Sequence, residues 1–173
     1  MNLPNKLTIL RVLLIPVFLL CLLNEYNILA LIIFVIASLT DMLDGKIARK
    51  YNLVTNFGKF MDPLADKLLV SSALISFVGL GRMPIWIVVV IISREFIISG
   101  FRLVAADKGV VIAASMWGKV KTVTQMVMII VLLCELQVGF AEVLEGILIY
   151  ASLILTVVSL VDYIVKNIDV MKE

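Results

Sequence analysis

Six stretches of mostly apolar residues follow one another along this chain, at about 7–23, 28–50, 60–79, 84–106, 117–135 and 140–165. One helical crossing of a hydrocarbon layer takes roughly 17–25 such residues, and backbone inside lipid must satisfy its own hydrogen bonds. Each stretch therefore predicts a membrane-spanning helix. The connections at 24–27, 80–83 and 136–139 are short, which predicts three helical hairpins with both termini on one side. The expected fold is all-α: a polytopic membrane protein of six transmembrane helices, forming a single domain over residues 1–173. No small-residue cleavage site follows the first apolar run, so residues 1–23 read as a span and not as a removable signal.

Composition agrees with lipid as the solvent. The chain is 62% hydrophobic and 16% charged, with a mean hydropathy of +1.14. Soluble domains carry roughly 45–50% apolar and about 25% charged residues. A net charge of +2 is too small to suggest nucleic acid as a partner. There is no histidine, which excludes imidazole acid–base catalysis, Ser-His-Asp triads and imidazole metal ligands. Cys21 and Cys134 lie in separate apolar runs without a partner motif and read as small buried hydrophobes.

The distribution of the charges says more than their sum. Lys6, Arg11, Lys46, Arg49, Lys50, Lys59, Lys67, Arg102, Lys108, Lys119, Lys121, Lys166 and Lys172 fall toward the face that holds the termini. Arg82 lies in a loop on the other face, and Arg94 lies within a span. The positive-inside bias then places both termini in the cytoplasm. Trp86 and Trp117 fall near span ends, where interfacial anchoring is the default. Pro84 suits the first turn of the fourth helix. Pro63 leaves two readings open: a first-turn proline with Asp62 as cap, or a proline within a helix that begins earlier.

The chemistry is concentrated between residues 41 and 66. Asp41 and Asp44 are followed by Gly45, Ala48 and Arg49; eight residues later come Gly58, Asp62 and Asp66. Residues three or four apart share a helix face, so Asp41, Asp44 and Ala48 form one stripe, and Asp62 and Asp66 another. Placing one Asp well inside a span costs about 2.5–3.5 kcal/mol. Two carboxylates 4 Å apart repel by about 4 kcal/mol at an effective dielectric near 20. Four of them converging at the end of a hairpin require shared protons or cations. All-oxygen ligation selects hard ions, Mg²⁺ first and Mn²⁺ second. The intervening small residues leave room for a ligand against the backbone, and a nucleotide diphosphate suits metal ions that bridge its phosphates.

The spacing Asp-x2-Asp-Gly-x2-Ala-Arg-x8-Gly-x3-Asp-x3-Asp, met here at all eight specified positions, resembles the signature of the CDP-alcohol phosphatidyltransferase family. That resemblance implies two metal ions held mainly by Asp41, Asp44 and Asp62, with Asp66 as general base and further ligand. It also implies a CDP pocket lined by Asp44, Gly45, Ala48, Arg49 and Gly58, transfer from a CDP-lipid such as CDP-diacylglycerol, and a homodimer. The setting implied is the bacterial cytoplasmic membrane, with the site facing the cytoplasm and membrane lipids around it.

Flanking motifs extend the resemblance over the whole length. They are the start Asn2-Leu-Pro-Asn5-Lys-Leu-Thr8-x2-Arg11, Ser93-Arg94-Glu95 in the fourth span, and Trp117-Gly118-Lys119-x-Lys121-Thr122 opening the fifth. They are similar to the branch of the family that uses glycerol 3-phosphate as acceptor. An anionic acceptor needs cations. Arg94 and Glu95, an ionisable pair in mid-span, are a functional-site candidate by default, and Arg102, eight residues after Arg94, points within roughly 80° of it. Lys119, Lys121, Lys59 and Arg11 complete the candidate phosphate-binding set. The competing readings are a structural Arg94–Glu95 pair, and Lys119 and Lys121 as headgroup anchors. Asn5 and Thr8 either contact nucleotide or cap the first helix. Two other functions were weighed: a family member with a lipid acceptor such as phosphatidylglycerol, as in a cardiolipin synthase, and a cation transporter built on the aspartates.

Overall fold

The computed structural model describes residues 3–50, 56–110, 112–113, 115–135 and 139–168, with the side chains of 3–4, 41–50, 56–57 and 59–60 outside the description. The described chain is helical: α1 (Leu3–Leu23), α2 (Asn27–Lys50), α3 (Asn56–Gly79), α4 (Ile85–Asp107), α5 (Met116–Cys134) and α6 (Ala141–Asn167). Three segments are long and apolar enough to cross a membrane: Asn5–Leu23, Met116–Cys134 and Ala141–Asn167. α2 is apolar over Asn27–Thr40. α3 and α4 miss the composition criterion because any 18-residue stretch of α3 contains Asp62, Asp66 and Lys67, and any such stretch of α4 contains Arg94, Glu95 and Arg102.

Contacts divide the chain into two compact units. In the first, α1 packs along both α2 and α3, which meet each other less. Its buried seam runs Asn5, Thr8, Arg11, Ile15, Phe18 and Leu22, a three-four spacing that keeps one helix face turned inward. Opposite lie Leu10, Leu13, Val17 and Leu20, all outward. Phe18 meets Phe34 of α2 at 5.9 Å between ring centroids, and Ala30 and Ala37, one turn to either side of Phe34, are fully buried. Small residues there let two backbones approach closely, which is how helices associate when lipid supplies no hydrophobic drive.

In the second unit α4 packs against α6. The buried seam of α6 is Ile149, Ser152, Thr156, Ser159 and Tyr163, while Ile147, Ile154, Val157, Val161 and Val165 face outward. This arrangement, polar within and apolar without, inverts that of a soluble helix and suits hydrocarbon as solvent. Two of the hydroxyls bond along the helix, Thr156 Oγ1 donating to the Ser152 carbonyl at 2.6 Å and Ser159 Oγ to that of Thr156 at 3.0 Å, while Ser152 Oγ and the Tyr163 hydroxyl are buried without a hydrogen-bond partner among the described residues. Phe101 of α4 meets Tyr163 edge-on at 6.0 Å.

Helix ends explain the tight connections. Gly81 and Gly109 adopt φ near +72° and +73°. The next residues, Arg82 and Val110, donate back to the carbonyls of Phe77 and Ala105 at 2.8 Å each, the bonding of a Schellman stop. Glu25 ends α1 in the same way at φ 63° without a glycine. α3 begins at Asn56, so Pro63 is an interior proline and not part of a first turn; its ring removes one ladder hydrogen bond. Pro84 sits at the N-cap of α4, one residue before the helix. Cys21 is buried as expected, but Cys134, at the end of α5, is exposed because the helix stops there.

Two substitutions test the inverted packing of α6. Ser152→Leu overfills a fully buried position and is expected to destabilise the detergent-solubilised protein by about 1–3 kcal/mol. Val157→Leu, on the outward face, is expected to stay within about 0.5 kcal/mol. Thermal unfolding midpoints of the two variants check the contrast.

Candidate active site

Helical continuity places the aspartates. α2 runs unbroken as far as Lys50, so Asp41, Asp44 and Ala48 hold helical positions three and four apart. The side chains of Asp41, Asp44, Arg49 and Lys59 lie outside the described residues, as do the surroundings of Gly45 and Ala48. α3 carries Gly58, Asp62 and Asp66 at intervals of four, on one face. Gly58 is buried, and the two carboxylates are half-buried beside the seam residues Ala65 and Leu69.

α1 supplies the partner. Thr8 Oγ1 donates to Asp62 Oδ1 at 2.6 Å, across 54 residues of sequence. Thr8 lies well inside α1 and fully buried, so its hydroxyl orients a carboxylate and does not cap the helix. Asn5 and Arg11, one turn before and one turn after, are buried on the same seam. The polar end of α1 therefore faces the aspartate stripe of α3.

The donor set fits a hard cation. Asp62 and Asp66 present carboxylate oxygens one turn apart, one of them held by a neutral hydroxyl that leaves the negative charge in place, and the chain has no histidine.

The second unit holds a separate ionic cluster. Arg94 and Lys121 are both buried, on α4 and α5. Arg94 Nη1 donates to Glu95 Oε1 at 3.0 Å, and Lys121 Nζ donates to the same oxygen. Arg94 Nε donates to Ser159 Oγ of α6 at 3.2 Å. Ser115 accepts from the Gly118 N–H at 3.1 Å at the start of α5. Of the other acceptor candidates, Arg102 is exposed with its guanidinium 5.9 Å from the Tyr163 ring centroid, and Lys119 is exposed on α5. The structure thus gathers Arg94 and Lys121, through Glu95, and sends Arg102 to an aromatic partner.

Gly118 and Ser159 are absent from the candidate residues read from sequence, and Glu95 is present there without an assigned role. Glu95 carried a signal as half of a mid-span ionisable pair. Ser159 carried a weaker one, as part of a Ser-Thr-Ser-Tyr series at intervals of four, three and four in an apolar helix.

A family model described as CDP-alcohol phosphatidyltransferase matches residues 1–158. The chain is 44% identical over 192 aligned positions to the CDP-diacylglycerol–glycerol-3-phosphate 3-phosphatidyltransferase of Bacillus subtilis (strain 168), covering 99% of this chain and 97% of that relative. It is 41% identical over 171 positions to a probable phosphatidylglycerophosphate synthase of Mycobacterium tuberculosis (strain H37Rv), covering 95% and 81%. A third relative, the CDP-diacylglycerol–glycerol-3-phosphate 3-phosphatidyltransferase of Haemophilus influenzae, is 40% identical over 94% of this chain and 91% of its own length. The match runs from the polar end of α1 through the aspartate signature and into α6, and the chain belongs to the CDP-alcohol phosphatidyltransferase family.

Proposed function

We propose that this chain transfers the phosphatidyl group of CDP-diacylglycerol to glycerol 3-phosphate, releasing CMP and forming phosphatidylglycerophosphate. The observation that carries the acceptor is the buried Arg94–Glu95–Lys121 cluster, because a neutral acceptor would have no use for two buried cations. Near-full-length relatives bearing that reaction in their names support the same reading.

In this reading the acceptor's hydroxyl oxygen bonds to the phosphorus that carries the diacylglycerol, and the bond from that phosphorus to the CMP oxygen breaks. The hydroxyl proton passes to Asp66, and CMP departs with the bonding electrons. Asp41, Asp44, Asp62 and Asp66 would hold divalent ions, Mg²⁺ or Mn²⁺ and two in number, which supply charge neutralisation at the phosphate oxygens. Thr8 keeps the Asp62 carboxylate in one orientation. Asn5, Gly45, Ala48, Arg49 and Gly58 line the nucleotide. Arg94 and Lys121 bind the acceptor phosphate, joined in the proposed set by Arg11, Lys59, Arg102 and Lys119.

The proposed setting is a bacterial cytoplasmic membrane crossed by all six helices, with termini and site on the cytoplasmic side. Of the charges that keep α3 and α4 from reading as spans, Asp62, Asp66, Arg94 and Arg102 are themselves proposed functional residues, which supports the crossing of these helices as well. One domain over residues 1–173 and a homodimer belong to the same proposal; the family match through both units supports the first.

CMP release by purified protein tests the reaction. It is expected to require CDP-diacylglycerol, glycerol 3-phosphate and a divalent metal, to stop with EDTA, and to fall by about 10²–10⁴-fold in Asp66→Asn. Arg94→Gln and Lys121→Gln are expected to raise the KM for glycerol 3-phosphate by about tenfold to a hundredfold, the worth of a hydrogen bond to a charged group. Release with phosphatidylglycerol instead would replace the acceptor and keep the reaction class.

Thr8→Val removes the hydroxyl that orients Asp62 and keeps the shape. The Mg²⁺ concentration for half-maximal activity is expected to rise by about tenfold or more, read from a metal titration at saturating substrates. Orientation is open to cysteine labelling in a background lacking Cys21 and Cys134. A membrane-impermeant maleimide is expected to reach Asn24→Cys from outside intact cells, and Lys108→Cys only after permeabilisation; the reverse pattern would invert the topology.

A further inference from the structure

Glu95 joins the two buried cations of the second unit and has no part in the mechanism given above. Both cations converge on its Oε1, so one carboxylate oxygen gathers a guanidinium from α4 and an ammonium from α5. The guanidinium is steadied on two further sides. Its Nε–H goes to Ser159 of α6, and its Nη2 lies so near the first turn of α5 that a Cβ on Gly118 would meet it at 3.3 Å. The Arg94 and Lys121 side chains are 9% and 2% exposed, against 21% for Glu95.

Two like charges set side by side repel, and long cationic side chains lose rotamer freedom when they bind a ligand. A carboxylate between them removes both penalties before the ligand arrives. It also competes for their donors, but both cations meet one oxygen, so a single acceptor atom draws the two groups to one point. Preorganisation therefore outweighs competition.

We propose that Glu95 is a positioning residue for the acceptor phosphate, holding Arg94 and Lys121 as one preformed clamp, with Gly118 keeping room for the guanidinium against α5. This rests on the reading of Arg94 and Lys121 as acceptor ligands. Glu95 stands outside the residues proposed to hold the metal ions, the nucleotide or the reacting phosphorus, so its effect falls on one substrate.

Steady-state kinetics of Glu95→Gln in the full-length protein, with each substrate varied in turn, tests the proposal. The KM for glycerol 3-phosphate is expected to rise about tenfold or more, with the KM for CDP-diacylglycerol within about threefold and kcat changed less than the acceptor KM. Gly118→Ala is expected to raise the acceptor KM by a smaller factor in the same direction. In a double-mutant cycle, Glu95→Gln with Lys121→Gln is expected to do little more harm than the worse single variant. An unchanged or lowered acceptor KM in Glu95→Gln overturns the proposal, as do additive effects in the cycle. Parallel losses toward both substrates also overturn it, since they mark a merely structural role. If Lys121→Gln and Arg94→Gln leave the acceptor KM unchanged, the acceptor reading itself fails and takes this inference with it.

Discussion

Lipid offers a polar side chain nothing to bond with, so each polar group placed among these helices must find its partner within the protein. That constraint orders both units. In α6 Ser152, Thr156 and Ser159 turn inward, the last two bonding to carbonyls of their own helix, while valines and isoleucines turn out. In α4 the buried seam that carries Ile87 and Ile91 also carries Arg94, which is held by Glu95 beside it and Ser159 opposite. The seam of α1 changes character along its length, from Leu22 and Phe18 to Arg11, Thr8 and Asn5. One helix face is thus apolar core at one end and polar, turned to Asp62, at the other.

This economy has a functional consequence. Most of the residues that interrupt the apolar runs of α3 and α4 are the ones proposed to have chemistry to perform, and they sit on helices held by packing. Asp62 needs no mobile loop to reach its position: α3 is helical from Asn56, and Thr8 meets the carboxylate from a helix packed along it. Arg94 is constrained on several sides in the same way. Groups held on rigid elements before substrate arrives lose little further freedom on binding, which is the physical advantage of building a phosphate-handling site between helices.

Much of this was legible in the chain. Apolar length marked six helices, and their observed bounds fall within a few residues of the expected ones, apart from the earlier starts of α1 and α3. The signature spacing put Asp62 and Asp66 on one face of α3, since three- and four-residue intervals are a property of any helix, and the earlier start of that helix adds Gly58 to the same face. Arg94 could be singled out because charge in an apolar run is costly wherever it lies, and Lys121 by its place in the motif that opens the fifth helix. Pro63 could not be read, because a first-turn and an interior proline differ only in where the helix begins, and helix starts within a continuous apolar pattern leave a weak local trace. The exposure of Cys134 was missed for a related reason: it lies at the last residue of α5.

The sequence by itself determined the helices, the face that Asp62 and Asp66 share, and the family to which the chain belongs. It did so because helical period and the cost of charge in lipid act locally and can be read from neighbouring residues. Only the tertiary structure decided the partnerships: Thr8 with Asp62 across 54 residues, Arg94 with Ser159 across 65, and Lys121 with Glu95 across 26. Apolar helices resemble one another in composition, and which face meets which depends on how small and polar side chains fit between segments far apart in the chain. That fit turned Thr8 from a possible cap into the group that orients a carboxylate, and Glu95 from half of a local pair into the link between two helices.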